Sequence, residues 1–297
     1  MKFLVLAALS LLVSTAARQS LTAAPEQNPL RMFEYDAKAP LDLKEEAPLE
    51  SVEGIAVHDV SFAVGASRAN AYIAVPPGKG PFPAIVYMHW GQGNRTEFLP
   101  EAIAMAKAGA SSLLLEPAQP ENGEMAGYAK MVRDIRRAVD VLSSRPNVDP
   151  KRIVYVGHSL GATWGGVLAA SEPRFSGFVL MAGLPALSDF MQNSQRPEDV
   201  RMRARMPKDA FKKMVDSFAP YDSVKWIAKA APRAIFFQWA DHDQYISRAD
   251  AEKYFATAAQ PKSQKTYFSG HELNGWDCFN ERKQWLLEQL GREKTSR

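Results

Sequence analysis

The 297-residue chain is 46% hydrophobic, 23% charged and 10% aromatic, and its 36 basic and 33 acidic residues leave a net charge of +3. This is the profile of a globular protein with a sizeable core, and it excludes a disordered, collagen-like or multi-pass membrane chain. So small a positive excess is no footprint for nucleic acid, and the single cysteine, Cys278, excludes an intramolecular disulfide or a cysteine-based zinc site.

Residues 1–17 (MKFLVLAALSLLVSTAA) read as a cleaved signal peptide. Lys2 supplies a positive start and Phe3 to Val13 is apolar apart from Ser10. Thr15 and Ala17 suit the sites before a signal-peptidase cut. Eleven residues of helix rise about 16 Å, too little for a hydrocarbon layer of about 30 Å. An exported protein without stable membrane association is therefore expected. Residues 18–50 carry Pro25, Pro29, Pro40 and Pro48 and read as an extended arm lying on the domain that fills residues 51–297.

Two strand-like runs, Ile55–Val64 and Ala69–Val75, predict an antiparallel hairpin. Beyond Pro76-Pro77-Gly78 the pattern changes. Apolar strands are expected at Ala84–Met88, Ser111–Leu115, Ile153–Val156, Phe178–Ala182, Ala234–Trp239 and Lys265–Phe268. Helices are expected at Thr96–Lys107, Met125–Leu142, Ala162–Ala170, Ser247–Ala259 and Trp276–Leu290. Short buried strands alternating with amphipathic helices define an α/β fold with a mostly parallel central sheet covered on both faces. Right-handed crossovers then bring the strand ends to one edge, where a site belongs. Residues 184–222 interrupt the plan as a short insertion rich in Met, with Arg196, Arg201, Arg203, Arg205, Lys208, Lys212 and Lys213. Two readings stand: a lid whose charge favours an anionic substrate, or a solvated helical face.

Residues 157–161, Gly-His-Ser-Leu-Gly, form a G-x-S-x-G between an expected strand and an expected helix, as a nucleophile elbow requires. The sharp turn strains Ser159, and its flanking glycines remove side chains that would collide. A serine hydroxyl needs a base to take its proton. His271, in the loop after the last strand, is the candidate. His158 points away from the hydroxyl, His89 is expected to hold the loop after its strand, His58 to lie on the surface of an early edge strand, and His242 in a surface loop. Asp241 and Asp243 both fall in the loop that would supply the orienting acid, whereas Glu272 is too near His271 in the chain to reach around to its ring. The spacing of Asp241, His242, Asp243 and His271 matches no metal signature, so neither metal nor cofactor is expected. Stabilising a tetrahedral intermediate takes two backbone donors. Leu160, after the nucleophile, is one; Trp90 or Gly91, after the strand ending at Met88, supplies the other.

Together these pieces resemble the α/β-hydrolase fold, and within it the dienelactone hydrolase and acetyl-xylan-esterase-like branch, over residues 55 to 290. The resemblance rests on the opening strands, the run Pro83 to His89, the elbow, the Asp loop and Gly270-His271. It implies Ser159 as nucleophile and His271 as base. Ala240 to Ile246 fits the family's G-x-x-D-x-x-V frame and so selects Asp243 as the acid. Two departures stand out: Trp90 replaces the family's usual Gly, narrowing the acyl pocket, and Ser159 replaces the Cys of true dienelactone hydrolases. The expected activity is a secreted serine hydrolase acting on small-molecule carboxylic esters, without nucleic-acid partners. The alternatives are a peptidase or amidase of prolyl-peptidase type, for whose usual extra domain this length leaves no room, and a non-catalytic binding protein on the same scaffold.

Overall fold

The computed structural model describes residues 28–52, 54–117 and 124–291. The expected signal peptide and the first part of the arm lie outside them. A short 3-10 turn, Pro29–Phe33, leads to β1 (Lys44–Glu45) and β2 (Leu49–Val52). There follow β3 (Ile55–Val64), β4 (Ser67–Val75), β5 (Phe82–Met88), α1 (Leu99–Lys107), β6 (Ser111–Glu116), α2 (Met125–Ser143) and β7 (Val148–His158). The second half carries α3 (Leu160–Thr163), α4 (Gly165–Ser171), β8 (Phe175–Met181), α5 (Leu187–Asn193), α6 (Pro197–Arg205), α7 (Lys208–Phe218), β9 (Ala234–Ala240), α8 (Arg248–Thr257), β10 (Lys262–Tyr267) and α9 (Trp276–Gln289).

All ten strands join one sheet in the order β1-β3-β4-β6-β5-β7-β8-β9-β10, with β2 also pairing with β3. From β6 to β10 the neighbours run parallel, while β1 to β4 add an antiparallel flank. After β5 the chain moves outward to β6 and then returns to β7 on the other side of β5. Loops leaving β5 and β7 therefore diverge to opposite faces, which opens a crevice at the carboxyl ends of the strands. Alternation along each strand divides the covering helices. In β5, Tyr87 faces Glu101 of α1, and Met88 faces Gly161 of α3. In β9, Gln238 faces α9, and Phe237 packs on Tyr254 of α8.

The structure departs from the sequence expectations where local signals are weak. The arm does more than lie on the domain. Phe33 is fully buried against Trp164 and Tyr221, and β1 and β2 extend the sheet, so the expected boundary at residue 50 falls inside β2. These strands also cover β3. His58 is accordingly not on an exposed edge; it is part-buried, with Nδ1 2.9 Å from Glu45 Oε1. The helix expected at Ala162–Ala170 is two short helices broken at Trp164. There the Gly166 amide donates to Ser223 Oγ and Tyr254 Oη instead of a helical carbonyl. Strand β10 starts earlier than expected because it is the sheet's last strand, with an exposed polar stretch that carries no apolar signal.

Beneath the sheet, α1 and α9 are joined by a buried ion pair. Arg282 donates from Nε to both Glu101 oxygens at 3.0 Å and from Nη2 at 2.6 Å, and from Nη1 to Gln238 Oε1 at 2.7 Å. Removing one partner of such a pair strands the other charge in the interior, at a cost of about 3–5 kcal/mol. Arg282→Met is expected to destabilise the protein by about that much in urea titrations, and adding Glu101→Gln to restore part of it. Burial also pushes the Cys278 thiol up to about 11. Because the fold favours the neutral thiol, its stabilisation is complete below the ordinary thiol value near ~8.5. It is lost as pH rises through about 11. Thiol reagents should therefore label Cys278 only after unfolding, and denaturation midpoints should fall across that alkaline window.

Candidate active site

The site begins with the turn between β7 and α3. Ser159 sits at φ 49° and ψ −105°, a region that costs a non-glycine residue about 1–3 kcal/mol. The two flanking glycines make the turn sterically possible. A Cβ on Gly157 would lie 2.6 Å from the Gly161 carbonyl carbon, and one on Gly161 would lie 2.7 Å from the Met88 oxygen. Hydrogen bonds hold the corner: Ser159 N–H to the Met181 carbonyl at 2.7 Å, Thr163 Oγ1 to the Ser159 carbonyl at 2.8 Å, and Tyr155 Oη to the Gly161 carbonyl at 2.9 Å.

The loops after β9 and β10 bring Asp243 and His271 to this corner. His271 Nε2 lies 2.7 Å from Ser159 Oγ. Its Nδ1 lies 2.9 and 2.8 Å from the two Asp243 oxygens. A carboxylate can only accept, so Nδ1 carries the hydrogen and Nε2 is left to accept the serine proton. Asp243 is itself held, because its Oδ1 accepts the Tyr245 and Ile246 amides at 2.8 and 3.0 Å. Both side chains are almost fully buried, at 2% and 1% exposure, which keeps water from competing for the bond. Asp241 does not join them; it pairs with His242 at 2.6 Å on the surface. Glu272 remains exposed.

The geometry also separates the two amides considered after β5. Trp90 N–H donates to Glu97 Oε2 at 3.0 Å, so the Trp90 alternative for the oxyanion donor is corrected: that hydrogen is already used. The Trp90 carbonyl faces His89 Nδ1 at 2.5 Å and accepts from the Gly93 amide at 3.1 Å. Carbonyl and following N–H share one planar peptide and point oppositely, so these contacts also set the direction of the Gly91 N–H. Among the described residues neither Gly91 nor Leu160 uses its amide in a protein hydrogen bond. The two residues are neighbours: a Cβ on Gly91 would stand 3.8 Å from Leu160 Cβ.

The insertion forms α5, α6 and α7, and a cleft of about 550 Å³ lies between it and the Asp243 loop, lined by Phe190, Asn193, Arg196 and Tyr245 among others. Arg196 stacks 3.9 Å over the Tyr245 ring, which packs on His271 with centroids 4.5 Å apart. Its charge is shared with Glu198 and Asp199. Arg203 is spent on the Met191 and Ser194 carbonyls, Lys212 on Asp216, and α6 buries none of its residues. These contacts favour the solvated-face reading for most of the basic residues. Glu97 and Tyr245 carry no sequence signal of their own, and Arg196 only that of one basic residue among several in the insertion. Glu97 belongs to no motif, and its partners lie 7 and 61 residues away in the chain.

The sheet order, the helices on both faces and the site at the strand ends give the chain the α/β-hydrolase fold. The model of the prolyl oligopeptidase family matches residues 123–270. Acetyl xylan esterase 1 from Thermoanaerobacterium sp. JW/SL YS485 superposes with a TM-score of 0.73 at 18% identity, covering 87% of this chain and 91% of that one. The acetyl xylan esterase from Paenibacillus sp. R4 gives 0.71 at 18% identity, over 84% and 89%. At such identities the likeness is one of fold. A curated relative, the probable 2-oxo-3-(5-oxofuran-2-ylidene)propanoate lactonase of Bradyrhizobium sp., is 30% identical over 147 residues, 45% of this chain and 59% of its own length.

Asp243→Asn is expected to slow modification of Ser159 by a serine-directed phosphonate by on the order of 10³–10⁴, since the wrong imidazole tautomer then faces the serine. Asp241→Asn should leave the rate within about twofold. Mass spectrometry of the labelled protein reads both.

Proposed function

We propose that this protein is an exported serine hydrolase of carboxylic esters that works through an acyl-enzyme. The observation that carries the reading is the continuous line Asp243–His271–Ser159, with Nε2 2.7 Å from Oγ, beside the two unused amides of Gly91 and Leu160. Ser159 Oγ attacks the ester carbonyl as its proton passes to His271 Nε2, and Asp243 stabilises the imidazolium that results. The carbonyl oxygen, now an anion, enters the space between the Gly91 and Leu160 amides. His271 returns the proton to the departing alcohol, then takes one from the water that attacks the acyl-enzyme and regenerates Ser159. No step calls for a metal or cofactor. The similarity to two acetyl xylan esterases and a probable lactonase supports ester chemistry.

The match to the prolyl oligopeptidase family model favours a second reading, in which the same residues cleave an amide after proline. Chromogenic p-nitrophenyl esters of graded acyl length against proline p-nitroanilides separate the two. The ester reading expects turnover of the esters only, with Ser159→Ala lowering it by on the order of a thousandfold or more. Undiminished esterase activity in that variant, or a wild-type protein that ignores the phosphonate, defeats it, and the second outcome favours a non-catalytic scaffold. Export rests on residues 1–17. Sequencing the protein recovered outside the cytoplasm should find Arg18 at its start. Among the described residues no helix is long and apolar enough to cross a membrane.

A further inference from the structure

We propose that Glu97 and His158 form a positioning clamp that ties the oxyanion loop, the nucleophile turn and the base loop together. The proposal rests on the serine-hydrolase reading. His158 precedes Ser159 in the chain and is 2% exposed. Its Nε2 lies 2.8 Å from the carbonyl oxygen of His271, and its Nδ1 lies 2.6 Å from Glu97 Oε1. The other Glu97 oxygen accepts the Trp90 amide.

Proton placement follows from the partners. A carbonyl oxygen only accepts, so Nε2 must carry a hydrogen. A neutral imidazole has one N–H, so the second contact, to a carboxylate oxygen, requires one further proton held between Nδ1 and Oε1. The pair thus shares that proton, and the short charge-assisted bond gives the link its stiffness. The Trp90 indole lies parallel to the His158 ring, with 1° between the planes. One carboxylate and one imidazole therefore touch three loops that leave three different strands: β5 at Trp90, β7 at His158 and β10 at His271. Neither side chain contacts Ser159 Oγ or the His271 ring nitrogens through a hydrogen bond. They act by holding the Trp90–Gly91 peptide and the His271 backbone at a fixed separation. A 1 Å error in such a separation is enough to cost about a hundredfold in rate.

Three variants test the clamp. Glu97→Leu keeps most of the side-chain bulk and removes both acceptor oxygens. His158→Gln places its amide nitrogen where Nε2 was and keeps only the His271 contact, whereas His158→Asn mimics Nδ1 and keeps only the Glu97 contact. The proposal expects kcat for a p-nitrophenyl ester to fall between about tenfold and a hundredfold in each, with KM within about threefold. It also expects affinity for a boronic acid, which mimics the tetrahedral adduct, to fall in parallel. If Glu97→Leu does not fold, the two His158 variants carry the test. Unchanged kcat and boronate affinity in every folded variant overturns the clamp, as does a loss of thermal stability with neither altered. Wild-type protein that turns over the ester and loses activity in Ser159→Ala shows in the same assay that the underlying reading holds. A wild type inert to ester and phosphonate rejects that reading instead.

Discussion

The close approach of α3 to the ends of β7 and β5 is the constraint on which the rest of the site depends. Gly157 and Gly161 leave room for backbone to meet backbone, and no side chain larger than hydrogen fits at either contact. This approach forces Ser159 into positive φ and lifts its hydroxyl above the strand ends. It also starts α3 at Leu160, whose amide has no preceding turn to bond to and whose side chain lies beside Gly91. The strain at one residue and the free donor at the next have the same origin. Bonds to Met181, Thr163 and Tyr155 keep the turn from relaxing.

Around that corner the protein uses polar contacts of two kinds. Those of Asp243 and His271 are few and dry, so each proton has a defined place. Those of Arg282, Glu101 and Gln238 lie under the sheet and join helices, with no hydrogen bond to Ser159, Asp243 or His271. The two sets share a physical rule, since a buried polar group is stable only when each of its atoms has a partner. Their consequences differ: in the site the rule selects a tautomer, and under the sheet it makes α1 and α9 depend on one another. The Glu97–His158 pair belongs with the first set by position, because it is anchored to the loops that carry Trp90, Gly91 and His271.

The Ser159 turn was legible because so sharp a corner needs its small residues adjacent in sequence, so Gly157, Ser159 and Gly161 form a local pattern. His271 was legible from its place after the last strand. Asp243 was harder. Two aspartates stand two residues apart, and only a family frame separated them before the fold placed one inside and the other on the surface. The choice between Trp90 and Gly91 was not legible, because it turns on a carboxylate seven residues further along. The insertion showed its length and charge, but three helices with internally paired cations emerge only when the partners of Arg196, Arg203 and Lys212 are known.

By itself the sequence determined the α/β alternation, the parallel core, the elbow and the order in which Ser159, Asp243 and His271 follow one another. Burial on one face and steric need at a turn both leave marks within a few residues, and such marks can be read along a chain. Only the tertiary structure decided that the arm joins the sheet, that Gly91 is the free amide beside Leu160, and that His158 and Glu97 bridge three loops. Those outcomes depend on partners brought together by the strand order, at separations of up to 113 residues for the His158–His271 contact. A hydrogen bond across that distance follows from where the sheet places its strand ends, and no local periodicity encodes it.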